Sequence, residues 1–491
     1  MQRRIIWILS ALLIFLGSLA QAQEKKPEEP TTGQLTAGEG FETLHFKNVN
    51  LTPGGFFETA LIFRSANENA SVGSTYRDIP LQGTANSHMH EFRMDARQSR
   101  VSLLAETKVN ETKVSGYVET DFLGAAPTAN ENESNSWNLR LRQAWATVDF
   151  QSGMSVTTGQ AWSLITTNRS GLKPRSEFLP TTIDAQYVVG YNWARQAEIR
   201  LTDKFSDGVW GAVSIENPEM TTPGVVLPPN LQGTQSTSNN TNSPTSLING
   251  GSVSTDGYPD LLGKMVFEPG WGHYEIKGLG RAFKDRLVNT TADTGTNHVA
   301  YGYGFGAAAL LPLLPNLTFV AEGLGGAGIG RYASGQGPDV IVKADGSIKP
   351  VPATQILTGL EWHPTSAWDV YAYYGMEHYQ RTTDDNNTAL AGNGGIGYGS
   401  GLTNLSGCII EIPTNTTNQP ATLCQANQTI WQVQPGFWYR FFKSSAGTAA
   451  WGASYSYTHR ELWTGRDSIG NKLQPTAGEN MVMTSFRYYL P

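Results

Sequence analysis

The residues best placed to do chemistry in this sequence are arginines and carboxylates set two positions apart. Arg93, Asp95 and Arg97 alternate with Phe92, Met94 and Ala96, Glu119 and Asp121 flank Thr120, and Arg140 and Arg142 alternate with Leu139 and Leu141. On an extended strand a spacing of two puts side chains on one face. A guanidinium meets a carboxylate with a two-pronged donor geometry that lysine does not reproduce. Several of them facing a narrow, wet space would concentrate anions and discourage cations. The chemistry implied is selection of a charged solute rather than bond making.

Parity decides which arginines share that face. After Arg97 the alternation slips near Gln98-Ser99, because Arg100 falls in step with Ser102 while Val101 and Leu103 take the apolar side. A β-bulge, which re-aims side chains in barrels, accounts for the slip. Arg195 and Arg200 have opposite parity, and Arg200, between Ile199 and Leu201, is the inward candidate. An arginine turned to lipid at the membrane midplane would cost about 2–4 kcal/mol, so Arg93, Arg97, Arg100, Arg140, Arg142 and Arg200, with Asp95, Glu119 and Asp121, are expected to line a lumen. A second reading stands beside the selective one: these charges pair with one another and only keep a wet wall soluble.

The elements that must carry these residues are strands. Val114, Gly116, Val118, Thr120 and Phe122 oppose Lys113, Ser115, Tyr117, Glu119 and Asp121. Trp451, Ala453, Tyr455 and Tyr457 oppose Gly452, Ser454, Ser456, Thr458 and Arg460, and Val482, Thr484, Phe486, Tyr488 and Leu490 oppose Ser485 and Arg487. Such alternation suits a soluble sandwich with its polar face outward or a membrane barrel with its polar face inward. Strand candidates of about ten residues exceed the five or six usual in sandwiches. Aromatics near segment ends (Trp137, Trp145, Trp368, Trp451 and Tyr488) suit an interfacial girdle. Short connections near 110–111, 151–153, 203–208, 269–270, 311–315, 364–367 and 443–447 alternate with long polar ones near 65–88, 123–136, 163–186, 217–259, 284–296, 325–352, 381–428 and 463–478. Seven short and eight long connections require sixteen strands, with fourteen or eighteen also compatible. The fold class expected is an all-β, transmembrane antiparallel β-barrel with short periplasmic turns and long extracellular loops. A sixteen-stranded wall encloses a water-filled channel.

Composition agrees. The 491 residues carry a net charge of −7, unlike the basic chains that bind nucleic acid. A mean hydropathy of −0.31, with no internal apolar run near 18 residues, excludes a helical membrane bundle. Residues 1–22 read as a signal peptide, with Arg3-Arg4, an apolar stretch from Ile5 to Leu19 and an Ala20-Gln21-Ala22 exit. Residues 23–50 read as a mobile periplasmic leader and 51–491 as the barrel.

Along residues 90–200 the order and spacing of Arg97-Gln98-Ser99-Arg100, Glu119-Thr120-Asp121-Phe122, Leu139-Arg140-Leu141-Arg142-Gln143-Ala144, Gly159-Gln160-Ala161-Trp162-Ser163 and Ala194-Arg195-Gln196-Ala197-Glu198-Ile199-Arg200 resemble the DcaP-type trimeric porins of Gram-negative outer membranes. The resemblance implies a homotrimer in the bacterial outer membrane, bathed in lipid and lipopolysaccharide. It also implies passive diffusion of small anionic solutes, often dicarboxylic or aromatic acids, without cofactor or catalytic residues. Some members of that family add an N-terminal coiled coil, for which the leader here is too short and too rich in proline.

Other signals are smaller. The stretch from Ser163 to Thr182, with Arg169, Lys173 and Arg175, is either a constriction folded into the lumen or an exposed basic loop touching lipopolysaccharide or a neighbouring subunit. Cys408 and Cys424 are expected to pair in an oxidising compartment as a loop staple. His88 and His90 lack a third ligand at metal spacing. Gly302-Tyr303-Gly304-Phe305-Gly306 lacks the strand-to-helix context of a phosphate loop. No nucleophile–base–acid set is recoverable. Two alternative functions remain at this point: a barrel-borne enzyme or adhesin acting through the loops near 217–259 and 381–428, and a secreted soluble β-sandwich lectin.

Overall fold

In the computed structural model, residues 44–124, 137–228, 257–289, 294–385, 395–411 and 421–491 are described. The signal peptide and the leader up to residue 43 lie outside the described residues, as do the central parts of the long connections near 217–259 and 381–428.

Sixteen strands form one closed antiparallel barrel. They are β1 (Val49–Arg64), β2 (Glu91–Asp95 continued by Arg100–Val109), β3 (Thr112–Gly124), β4 (Asn138–Asp149), β5 (Ser155–Trp162), β6 (Arg195–Ser206), β7 (Val209–Glu216) and β8 (Asp260–Phe267), followed by β9 (His273–Asn289), β10 (Thr294–Leu314), β11 (Leu317–Ala327), β12 (Pro352–Thr365), β13 (Trp368–Tyr379), β14 (Asn427–Ser444), β15 (Gly447–Leu462) and β16 (Thr476–Tyr489). Each pairs with the next, and β16 pairs back onto β1 through Phe56↔Tyr489 to Arg64↔Met481, so the ladder has no free edge. Closure is what lets a sheet satisfy every backbone group in a solvent that offers none. Leu44–Phe46 adds a short flap on the start of β1. No helix among the described residues is long and apolar enough to cross a membrane.

The two faces are sorted in the reverse of a soluble protein. On β16, Val482, Phe486 and Tyr488 are exposed, while Ser485 and Arg487 are buried beside Met481 and Met483. The same holds on β6, where Ile199 and Leu201 are exposed and Glu198, Arg200 and Thr202 are buried. Polar and charged groups therefore face inward and apolar ones outward, which selects the membrane barrel over the soluble sandwich.

The seven short turns fall where the sequence places them, and the long connections alternate with them. One long connection does not hold. For 284–296 the ladder continues to Asn289↔Thr294, leaving only residues 290–293 between the strands. The polar composition there belongs to strand extensions that keep pairing beyond the apolar belt.

Two bulges set the inner face. Between Ala60↔Asp95 and Phe56↔Arg100, β1 spends three residues and β2 spends four. That is the inferred slip at Gln98-Ser99, and the Ser99 side chain fills it by accepting from the Glu58 amide at 3.0 Å. The second bulge carries no sequence signal. Glu119 faces Gln143 while Thr120 faces Leu141, so Arg142 is the extra residue. Gln143 and Trp145 are thereby turned inward. Trp145 donates to Gln143 at 3.2 Å and its ring meets Tyr117, so it is no part of an outer girdle. Trp137 also leaves the girdle, because the Arg97 guanidinium lies 4.0 Å above its ring. Trp368, Trp451 and Tyr488 stay on the outer face. Trp368 stacks on Tyr439, and Trp451 stands edge-on to Phe437.

Candidate functional site

The third long connection, residues 163–194, lies inside the barrel, most of it buried. Of the two readings of its basic stretch, the structure takes the infolded one. A narrow hairpin closes its first half, with Phe178 N donating to Thr167 O at 2.7 Å and Asn168 bridged to Glu177. Its tip reaches the short-turn end, where Gly171 N donates to Glu268 at 2.7 Å and Lys173 pairs with Asp149 at 2.9 Å.

The segment is fastened to wall strands far from its own. Lys264 on β8 donates to Thr166 O at 2.6 Å, and Lys277 on β9 donates to Ile165 O at 2.7 Å. Glu322 on β11 accepts from Thr167 Oγ1 at 2.5 Å and from Asn192 N at 2.9 Å. Glu361 on β12 takes both Arg169 Nη atoms at 2.8 and 3.0 Å, Thr181 Oγ1 at 2.8 Å and the Tyr373 hydroxyl. Glu377 on β13 accepts from Gly190 N at 2.9 Å, and Arg487 on β16 donates to Ile183 O at 2.5 Å. Gly190 has φ +80°, and a Cβ there would collide with the Ile356 carbonyl, so only glycine brings the backbone this close to the wall. The other mouth loops join the plug: Tyr76 OH donates to Tyr187 O at 2.5 Å and Ser334 Oγ to Gln186 O at 2.6 Å. Cys408 and Cys424 are disulfide-bonded, and Cys408 packs with Tyr76, Ile79 and Leu81 of the first long loop.

The infolded segment seals one side of the interior and leaves the other open. Lys264, Lys277 and Arg281, under the segment and its neighbouring loop, have side chains no more than 1% exposed. Arg93, Arg97, Arg100 and Arg140, on β2 and β4, keep 15–33%. The inward-facing guanidiniums that keep solvent exposure thus stand on β2 and β4.

The sequence-derived residues divide between the exposed and the sealed. Arg93 bonds Glu91 at 3.0 Å, Arg97 bonds Asp95 at 2.6 Å and Arg140 bonds Asp121 at 2.6 Å. Arg142 is on the inner face but sealed, held by Glu119 at 2.6 Å, Asp121 at 2.9 Å and Gln186 of the loop at 3.0 Å. Arg200 faces inward as expected but is also sealed, paired with Glu198 at 2.9 Å and donating to Trp162 O. Arg100 stands 3.8 Å from Glu119 and over the Phe56 ring. Arg169 and Lys173 serve as fasteners, while Arg175 lies over Tyr117 beside the open side. His88 is exposed 3.6 Å from Glu411, and no group of metal-ligating side chains is found among the described residues.

Three residues at the site were not among the sequence-derived candidates. Glu58 and Arg487 pair at 3.0 Å across the β1–β16 seam, at opposite ends of the chain. Asp184 sits on the inner loop facing Glu58, Arg142 and Arg487; burial, and the Glu58 carboxylate beside it, push its carboxyl up to about 6. The inward alternation of Arg487 was visible, but its contact with Glu58 was not.

No protein-family profile and no curated sequence matches the chain. Among solved structures it is similar to the outer-membrane channel DcaP of Acinetobacter baumannii, with a TM-score of 0.60 and 16% identity over 91% of this chain and 99% of that one. Looser likenesses include an anion-selective porin from Comamonas acidovorans (TM-score 0.47, 9% identity, 90% of this chain and 100% of that one) and OmpF of Salmonella typhi (TM-score 0.46, 10% identity, 91% and 99%). With its closed ladder, outward apolar face and sixteen strands, the chain has the fold of the DcaP outer-membrane channel.

Proposed function

We propose that this protein is an outer-membrane porin: a passive, water-filled diffusion channel that favours small anionic solutes, carboxylates above all, and works without cofactor or catalytic step. The observation that carries it is the partly exposed row Arg93, Arg97, Arg100 and Arg140 on the inner face of β2 and β4, while Lys264, Lys277 and Arg281 across the barrel are sealed. A solute entering there sheds part of its water and meets guanidinium groups in a space walled by low-dielectric protein, where their field is least screened. The pairs with Asp95, Glu119 and Asp121 hold those groups in place. Cleavage after Ala22, a periplasmic leader, homotrimer assembly and contact with lipopolysaccharide complete the proposal, supported by the signal-peptide pattern and the DcaP-type resemblance.

Purified protein in a planar lipid bilayer should give steady ionic steps whose reversal potential in a salt gradient reports anion preference. Folded, heat-modifiable protein that conducts nothing would remove the channel.

Acidification should strengthen the preference. Asp184 releases its proton near pH 6, so it adds a negative charge to the interior at pH 7.5 and loses it by pH 5. Its neighbours Arg142 and Arg487 stay charged throughout that interval. Reversal potentials should therefore move toward the anion limit as pH falls through about 6, and Asp184→Asn should hold the acid value at both pH values. A pH response that survives in Asp184→Asn would assign it elsewhere.

A further inference from the structure

On the arginine-lined side, most guanidiniums already hold a carboxylate of their own. Arg140 spends two donors on Asp121, Arg142 bonds Glu119 and Asp121, and Arg97 bonds Asp95. Arg195, the first residue of β6, is different. It has no carboxylate within ion-pair distance among the described residues, and its Nη1 is buried without a hydrogen-bond partner. What holds the group is aromatic: its Cζ lies 5.3 Å from the centre of the Trp162 ring and 5.9 Å from that of Trp193. It is half-buried rather than sealed, and it lies within electrostatic reach of Arg100, Arg140, Arg142 and Glu119.

Arg100, Arg140, Arg142 and Arg195 set four positive charges against Glu119, Asp121 and, above about pH 6, Asp184, which leaves the cluster net positive. Pairing cancels much of what Arg140 and Arg142 add to the field and occupies the donors a solute would need. Trp162 and Trp193 meet edge to face with ring centres 6.0 Å apart, and a guanidinium resting against such a pair keeps its orientation without spending a donor on a carboxylate. We propose that Arg195 is the specificity-determining residue of this channel: its unoccupied donor edge takes the carboxylate of a passing solute in two-pronged fashion, with the Trp162–Trp193 pair as its backing. Parity argues against Arg195, since Gln196, Glu198 and Arg200 are the alternating inward set on β6. Its position where β6 meets the infolded segment releases it from that rule.

The inference rests on the channel proposed above and goes further, from a preference for carboxylates to the residue that sets it. The measurement is the permeability of acetate relative to chloride, taken from bi-ionic reversal potentials of wild type, Arg195→Gln, Arg195→Lys and Arg140→Gln. Chloride feels the charge but has no planar pair of oxygens for the fork. Arg195→Gln should lower the acetate-to-chloride ratio about threefold or more, the scale of losing a charged two-point contact in a wet site. Arg195→Lys should keep the overall anion preference yet still lower that ratio. Arg140→Gln, which removes a charge whose donors were already engaged, should reduce anion preference with little change in the ratio. An unchanged ratio in a conducting Arg195→Gln channel overturns the assignment, as does full retention by Arg195→Lys. A wild-type protein that does not conduct fails the channel itself, a separate outcome.

Discussion

Replacing residues 164–193 by a short Gly-Ser link should raise the single-channel conductance several-fold and collapse ionic selectivity toward that of bulk solution. The geometry permits the excision. Trp162 and Arg195 are directly paired across the β5–β6 ladder, so a tight turn joins the strands without moving them. What is lost is the material filling most of the interior, along with the partners of Lys264, Lys277, Glu322, Glu361 and Glu377. Water would solvate those groups in the emptied lumen, so the barrel should survive, checked by its heat-modifiable migration. Sixteen strands without an inner segment enclose a wide aqueous pore, in which charge at the wall is screened within a Debye length of about 8 Å at physiological salt. A folded variant with unchanged conductance would show that residues 163–194 do not set the width.

The second large effect is expected at Glu361, the most heavily used anchor. Its carboxylate is buried and accepts from Arg169, Thr181 and Tyr373 at once. Glu361→Ala leaves the Arg169 guanidinium against the Phe178 ring with only Leu179 O to donate to. Stranding one partner of a buried ion pair costs about 3–5 kcal/mol, and Arg169 retains some exposure, which places the loss near about 3 kcal/mol. That free energy holds the inner loop rather than the barrel. Glu361→Ala should therefore flicker in current recordings and be cut within residues 169–182 by a protease added from the short-turn side, while its heat-modifiable migration stays as in wild type. Glu361→Gln, which keeps the shape and part of the bonding, should fall between. Quiet currents and full protease resistance in Glu361→Ala would show that the hairpin is held elsewhere.

The wall was legible in the sequence because a period of two, repeated over ten residues, leaves few alternatives. Val482, Phe486 and Tyr488 against Ser485 and Arg487 could be sorted without coordinates, and so could the slip at Gln98-Ser99, where Arg100 and Val101 broke step. The bulge at Arg142 was hidden because the residues after it, Gln143, Ala144 and Trp145, suit either face. The inner loop was ambiguous for a related reason. Arg169 and Lys173 are as suitable for an exposed loop as for a buried one, and the acids that hold them, Glu361 and Asp149, sit on separate strands. That the charges pair could be read from alternation, but not which partner each takes: Arg487 is placed inward by parity, and only closure brings it beside Glu58 on the first strand. Arg195 was set aside by parity, a rule that holds within a strand and lapses at its first residue.

The fastening of residues 163–194 also dictates an order of construction. The segment leaves the chain between β5 and β6, yet its anchors stand on β8, β9 and β11–β14, and on β16. Contacts so remote along the chain form late. The hairpin must already be within the curling sheet when β16 finds β1, since afterwards it would have to enter through a mouth occupied by other loops. The join that unites Glu58 with Arg487 is then the last stitch of assembly, drawn shut over cargo already stowed.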